Sequence, residues 1–175
     1  MYAPLSIAHL VVRPEATVAH ALSPMKGMAE ISRDLSDEQL IEEIMRWIDL
    51  LAKSDYTSFG AALGYSHEEG DPSESVRRAI ANYRSPDLYP GVEAFSVTNW
   101  RKARGGNPEP RREVVWYEPN ASMLAGAVTV DLPLNGKWSD LQADFVLLDR
   151  DSYSGLDLCL EEVYSWKQRA REEAD

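Results

Sequence analysis

The sequence predicts an α+β fold in which N-terminal helices pack on one face of an antiparallel β-meander. Capped amphipathic segments occur before Pro90, whereas the hydrophobic period after it is that of a strand. The pair Asn135-Gly136 joins two alternating runs in the way of a two-residue hairpin turn. Because helices and strands are segregated along the chain and the strand connections are short, we expect the helices on one face of the sheet.

The first helix is predicted over residues 37–53. Ser36 is a favourable N-cap, and Gln39 three residues later completes a capping box. Asp37 and Glu38 suit the positive end of the helix dipole. Six apolar residues then recur at helical spacing and form one stripe for burial. They are Leu40, Ile41, Ile44, Trp47, Ile48 and Leu51.

Two further helices follow the first. Asp55 can cap a short helix over residues 56–63. Asp71 caps the third helix, and Pro72 occupies its first position. Proline is favourable there because the backbone N–H that it lacks would have no partner within the helix. The dipeptide Ser85-Pro86 ends this helix, because a residue before proline is driven out of helical geometry.

Five strand-like runs follow Pro90. In the later runs, leucines and valines alternate with smaller or polar residues, which is typical of strands with one buried face. The sequence predicts no strand between the second and third helices. The five predicted strands cover residues 92–101, 112–118, 124–133, 138–148 and 155–165.

Composition excludes several classes of protein. The chain of 175 residues is 44% hydrophobic and 27% charged, which is typical of one globular domain. Its net charge of −11 disfavours nucleic acid and anionic membranes as partners. With Cys159 as the single cysteine, an intrachain disulfide and a cysteine-based zinc site are excluded.

The organisation predicted along the chain has three parts. We expect residues 1–35 to form an N-terminal arm or extension, residues 36–166 a single α+β domain, and residues 167–175 a polar tail. The mildly apolar run at 5–12 has no preceding Lys or Arg, so a secretory signal is not expected and the cytoplasm is the expected compartment.

Two segments resemble a known superfamily. Residues 47–56 (WIDLLAKSDY) match the end of its first helix, and residues 135–141 (NGKWSDL) match a hairpin of uncharacterised bacterial members. With the order of helices followed by a meander, residues 36–165 resemble the cone-shaped α+β superfamily of nuclear transport factor 2, ketosteroid isomerase and SnoaL-like proteins.

The resemblance implies a curved, cone-like sheet and a pocket between the sheet and the helices, used by some members for small apolar ligands and by others for partner binding. It assigns no catalytic residue, because the Asp, Tyr and protonated-Asp set of ketosteroid isomerase matches no defined positions here. The candidate pocket residues are Tyr56, after the first helix, and Glu162, which is in phase with the leucines of the last predicted strand.

Other ionisable groups are better explained by structure than by chemistry. Residues 67–71 hold four such groups, but their spacing matches no calcium loop, so a solvated loop is expected and no metal. Asp144, Asp157 and Glu161 alternate with leucines and belong on the opposite face of the sheet. Cys159 has no activating His or Arg beside it in the sequence.

The most distinctive feature is a basic window at residues 101–112. It carries five basic residues against Glu109 alone, a local charge of +4 in a chain of net charge −11. A basic hairpin tip beside aromatic residues can bind an acidic partner or an anionic ligand. The alternative is a solvated loop whose charges balance nearby acids. The candidate binding residues are Trp100, Arg101, Lys102, Arg104, Arg111, Arg112 and Trp116.

Two classes of function compete. The first is a non-catalytic protein-binding module, of the immunity or inhibitor type, whose acidic body neutralises a basic toxin by charge complementarity. The alternative is a SnoaL-like small-molecule-binding protein or a pocket enzyme of the isomerase, hydratase or cyclase type. Since no acid–base set stands out, we expect the binding module, without a cofactor. Tryptophans 100, 116, 138 and 166 offer apolar area for a homodimer.

Overall fold

The computed structural model describes residues 29–65, 71–119, 122–149, 155–165 and 167. Within them the chain is α+β, with three helices and a curled antiparallel sheet. The elements are β1 (Ala29–Ser32), α1 (Asp37–Ala52), α2 (Tyr56–Ala62), β2 (Gly64–Tyr65), α3 (Pro72–Asn82), a 3-10 helix (Trp100–Lys102), β3 (Arg112–Trp116), β4 (Leu124–Leu134), β5 (Lys137–Leu148) and β6 (Gly155–Ser165). The predicted α+β class, with helices and a curved antiparallel sheet, is confirmed.

The three predicted helices are confirmed, together with their caps. At the start of α1, Gln39 N–H donates to Ser36 Oγ at 3.3 Å and Ser36 N–H donates to Gln39 Oε1 at 2.9 Å, which completes the capping box. Asp55 caps α2 and Asp71 caps α3. Hydrogen bonds from Ser58 and Ser73, respectively, lower the pKa of these two carboxyls.

The sheet has the strand order β1-β6-β5-β4-β3, with antiparallel pairs throughout this path. β2 pairs with β6 in parallel, next to β1. The predicted Asn135-Gly136 turn is confirmed: it joins β4 to β5, and both residues have positive φ, 45° and 82°. The four later predicted strands correspond to β3, β4, β5 and β6.

The strand predicted over residues 92–101 is wrong. The segment crosses the end of the β4–β5 hairpin and makes only an isolated bridge, between Val97 and Leu134. Asn135 holds it through side-chain bonds to the Ser96 N–H and the Ala94 carbonyl, both at 2.9 Å. The hydrogen bonds of this segment therefore go to the hairpin turn instead of to a further strand.

Two short strands were not predicted. β1 has four residues and pairs with β6, so the sheet includes residues 29–32, which the sequence assigned to the N-terminal arm. β2 has two residues and lies between α2 and α3, where the sequence predicts no strand. Both are too short for alternation to show, and both depend on pairing with the distant β6.

Helical side chains fill the concave face of the sheet. The core joins Leu40, Ile44 and Ile48 of α1 to leucines and valines of the central strands, all fully buried. Phe59 and Ile80 bring α2 and α3 into the same core. The amphipathic stripe predicted for α1 is confirmed, because four of its six residues are buried and the other two, Ile41 and Trp47, are half-buried against the core.

A β-bulge changes the face of Glu162. Asp144 lies opposite Glu162, but Phe145 lies opposite Leu160, so Glu161 is the extra residue in β6. The bulge reverses the alternation, and Val163 instead of Glu162 packs against the core. The expectation that Glu162 shares the face of the leucines is therefore corrected.

Candidate functional site

The predicted basic residues converge where the loop of residues 103–111 packs on the tip of the β4–β5 hairpin. Arg104 N–H donates to the Gly136 carbonyl at 2.8 Å. Asn107 N–H donates to the Trp138 carbonyl, also at 2.8 Å. We define the basic surface as the six exposed cations around this contact: Arg101, Lys102, Arg104, Arg111, Arg112 and Lys137.

Gly106 allows the loop to approach the hairpin closely. Its φ is +83°, and it bridges Trp138. A Cβ at this position would lie 2.1 Å from the Trp138 carbonyl oxygen, which is backbone and cannot move aside. Only glycine fits both the conformation and the space, so the Gly105-Gly106 break is part of how the basic surface is built.

Asp131 holds the loop from beneath. Its Oδ2 accepts hydrogen bonds from the Arg111 N–H at 2.8 Å and from Asn107 Nδ2 at 2.9 Å. Its Oδ1 accepts one from Gln142 Nε2 at 3.2 Å. Asp131 is buried, and burial raises the pKa of its carboxyl against the opposing effect of these hydrogen bonds. The carboxylate therefore organises the backbone of the loop from inside the protein.

The side chain of Arg112 lies between two indole rings. Its guanidinium carbon is 4.7 Å from the centroid of Trp138 and 5.7 Å from that of Trp100. Arg101 lies over the same Trp100 ring at 4.2 Å. Because the rings attract the cations without carrying a negative charge, they fix the arginines and leave their charge available.

The other cations of the basic surface are held only in part. Arg101 contacts Asp49 at 3.4 Å, and Arg111 approaches Glu113 at 4.0 Å, with about half of each arginine side chain exposed. Arg104 donates its guanidinium to the carbonyls of Arg101 and Ala103, at 2.8 and 2.7 Å. The surface therefore keeps most of its positive charge directed to solvent.

Trp116 lies away from the basic surface. It ends β3 four residues after Arg112, about 13 Å along the strand, and its Nε1 donates to Asp37 Oδ1 at 2.9 Å. There it borders a groove of about 430 Å3 that includes Met123 and the ion pair between Arg33 and Asp149. The structure thus brings Trp138, rather than Trp116, beside the predicted arginines.

The two candidate pocket residues lie in different surroundings. Arg77 sits 4.8 Å from the ring centroid of Tyr56, whose pKa is raised by burial and lowered by that cation. Glu162 lines a separate groove of about 240 Å3 between α3 and β6, with Arg78 and Asn82. Tyr56 is not part of the lining of that groove.

A buried Tyr–Asp pair lies where α3 meets the sheet. The Tyr83 hydroxyl donates to Asp140 Oδ1, and Lys167 Nζ lies 3.4 Å from Asp140 Oδ2. Burial, with a further contribution from Asp140, raises the pKa of Tyr83 well above its usual range. With 1% of Tyr83 and 3% of Asp140 exposed, neither group can reach a ligand from solvent.

Three site residues were missed by the sequence analysis: Asp131, Lys137 and Trp138. Lys137 and Trp138 follow the Asn135-Gly136 turn, so the hairpin signal already placed them at a tip. Nothing local showed that the loop before β3 folds onto that tip, because the contact joins segments about thirty residues apart. Cys159 is buried on the sheet.

The sequence offers few candidate metal ligands. The acidic segment at 67–70 lies outside the described residues, and Asp71 is a helix cap. Across the described ranges, no group of three or more His, Cys, Asp or Glu side chains is placed to hold a metal ion. No helix among these residues has the length and apolar character needed to cross a membrane.

Comparison with known proteins yields no relative. No family model matches the chain, and no curated protein or solved structure matches it significantly.

Proposed function

We propose that the protein is a non-catalytic protein-binding module that docks an acidic segment of a partner on the basic surface. The observation that carries the proposal is the convergence of six exposed cations on a loop and hairpin of a chain with net charge −11. A positive patch on an acidic body attracts acidic partners in one orientation and repels them elsewhere.

The way in which the arginines are held supports a binding role. Interface hot spots are enriched in Arg and Trp, and they gain from side chains that are ordered before binding. Arg112 is fixed by Trp100 and Trp138, and the loop beneath it is fixed by Asp131. A partner carboxylate therefore meets guanidinium groups whose conformational entropy is already reduced.

A binding role fits the filled interior better than pocket chemistry does. Phe59, Ile80 and the α1 residues occupy the concave face where a pocket ligand would sit. The buried pair of Tyr83 and Asp140 joins α3 to the sheet and is closed to solvent. A substrate pocket would need these side chains to move, whereas the basic surface is accessible as it stands.

We extend the proposal to the class of protein. The curled antiparallel sheet with helices on its concave face supports a single cone-like domain related to the nuclear transport factor 2 and SnoaL-like superfamily. Within that frame, an inhibitor-type protein of the cytoplasm is the proposed role, with its partner recognised through acidic side chains at the basic surface.

Charge reversal of Lys102 and Arg111 tests the proposed function. These two cations are exposed and do not stack on tryptophan, so Lys102→Glu/Arg111→Glu should leave the fold intact. The matched control, Lys53→Glu/Arg78→Glu, changes the net charge equally on the helical side of the protein. Each protein serves as bait in the same cell lysate, and captured proteins are then titrated by calorimetry.

The expected partner binds the native protein and the control and loses at least about tenfold in affinity for the Lys102→Glu/Arg111→Glu variant. The difference should narrow as salt rises, because exposed charges are screened over about 8 Å at physiological ionic strength. Equal losses in both variants, or no loss in either, would show that the basic surface is an ordinary solvated loop.

A further inference from the structure

β3 is the terminal strand of the sheet, and among the described residues no strand pairs with its outer edge, which we call the open edge. Tyr117 N–H donates to the Ala125 carbonyl at 2.9 Å, and Asp131 N–H donates to the Arg111 carbonyl at 3.0 Å. In an antiparallel ladder, alternate residues bond to the same neighbour. Odd-numbered residues of this segment therefore face β4, and the backbone groups of Arg112, Val114 and Trp116 point to the open edge.

Exposed apolar side chains lie at the end of the same strand and directly after it. Val115 is 42% exposed, and Trp116 and Tyr117 are each 44% exposed. They are three of the five large apolar side chains that are exposed within the described ranges. An open edge with apolar side chains is a template for pairing with another strand.

We propose that a second copy of the chain pairs with this edge, β3 against β3, antiparallel about a two-fold axis at Val114. Only this register overlaps the strand over its full length, and it uses the outward backbone groups of Arg112, Val114 and Trp116 in both copies. The two curled sheets then form one continuous sheet, and the interface is isologous. The inference does not rest on the proposed function.

The side chains of β3 suit a copy of themselves in this register. Arg112 lies opposite the partner's Trp116, so the cationic end of each strand pairs with the aromatic end of the other and the two arginines are kept apart. Glu113 lies opposite the partner's Val115, so no like charges are directly opposed. The two copies of Glu113 meet only diagonally, and each has Arg111 4.0 Å away.

Opposite charges at one exposed position test this register. In the dimer, Val115→Glu places a carboxylate opposite the partner's Glu113, and Val115→Lys places an ammonium there. In the monomer the same position is exposed, so both variants should fold. Because each contact occurs twice, we expect dissociation constants about threefold to tenfold higher for Val115→Glu and lower for Val115→Lys.

A backbone test complements the charge test. Val114→Pro removes the outward N–H at the two-fold axis while leaving the bonds to β4, as proline at an open strand edge can. Sedimentation velocity and light scattering should give twice the monomer mass of 19.6 kDa for the native protein and 19.6 kDa for Val114→Pro.

Three results would overturn the proposal. The first is a native protein that remains monomeric at about 100 µM. The second is a dimer whose dissociation constant responds equally to Val115→Glu and Val115→Lys, because the edge is then not the interface. The third is a protein that stays monomeric and whose β3 backbone amides are protected from hydrogen exchange only when a glutamate-rich peptide is added. That result would assign the edge to a strand of another protein.

Discussion

Replacing Asp131 tests whether a buried carboxylate builds the basic surface. Asp131→Ala removes the acceptor of three hydrogen bonds, from Arg111 N–H, Asn107 and Gln142. Gln142 is 2% exposed, so its amide stays buried without that partner, at a cost of about 1–3 kcal/mol. The two loop donors can return to water, and each contributes about 0.5–1.5 kcal/mol.

Burial of the Asp131 carboxylate itself costs free energy, as its raised pKa indicates. Asp131→Ala removes this cost, which offsets part of the stability lost with the hydrogen bonds. We therefore expect Asp131→Ala to lower the free energy of unfolding by about 2–4 kcal/mol. Asp131→Asn keeps an acceptor for the loop, and its amide donates to Gln142 Oε1 once the Gln142 side-chain amide rotates by half a turn, because Nε2 now faces Asp131 and Oε1 is buried without a partner among the described residues. This variant should change stability by less than about 1 kcal/mol.

Urea unfolding at pH 4 and pH 7 measures both effects. The folded chain holds the Asp131 proton more tightly than the unfolded chain, so this contribution to stability is full at low pH and is lost as pH rises through the folded pKa. Asp131→Asn lacks that contribution, and its stability relative to the native protein should rise from pH 4 to pH 7.

The control is Glu109→Ala, which alters an exposed carboxylate of the same loop and should cost less than about 0.5 kcal/mol. The reasoning is refuted if Asp131→Ala matches this control, or if Asp131→Ala and Asp131→Asn destabilise equally.

Two further predictions concern the buried tyrosines. Tyr83→Phe leaves Asp140 buried without the hydroxyl donor and should cost about 1.5–3 kcal/mol in urea unfolding; an unchanged midpoint would mean that Lys167 alone satisfies the carboxylate. Burial raises the pKa of Tyr89 to about 12. The neutral hydroxyl therefore contributes fully to the free energy of unfolding below pH 10, and this contribution is lost as pH rises from 10 through 12, at about 1.4 kcal/mol per pH unit. Tyr89→Phe should flatten this alkaline decline, and an equally steep decline in that variant would contradict the assignment.

The sequence predicted those parts of the fold that local chemistry determines. The capping box at Ser36, the Asp71-Pro72 helix start and the Asn135-Gly136 turn are each decided within a few residues, and the structure confirms them. Strands β4, β5 and β6 are long enough for alternation to reveal their buried face. What it could not reveal was the bulge at Glu161, because an extra residue shows only against the partner strand.

The sequence predicted the charge of the candidate site but not its geometry. Counting charges located the basic window, and the glycine pair located a break in the chain. Which indole rings contact Arg112 depended on how the loop folds back on the hairpin, and the sequence favoured Trp116 where the structure has Trp138. Asp131 looked like one more strand residue, since its three donors come from two other segments.

The manner in which the basic surface is supported explains why it stays basic. An exposed carboxylate beside each arginine would hold it in place but would also neutralise it. Here Asp131 binds the backbone of Arg111 from the interior, and indole rings hold Arg112 without a charge. Arg104 is fixed by carbonyl dipoles. Because the groups that hold the side chains of Arg104 and Arg112 are uncharged, these two guanidinium groups are ordered while their charge remains available, which is the property that recognition of an acidic partner requires.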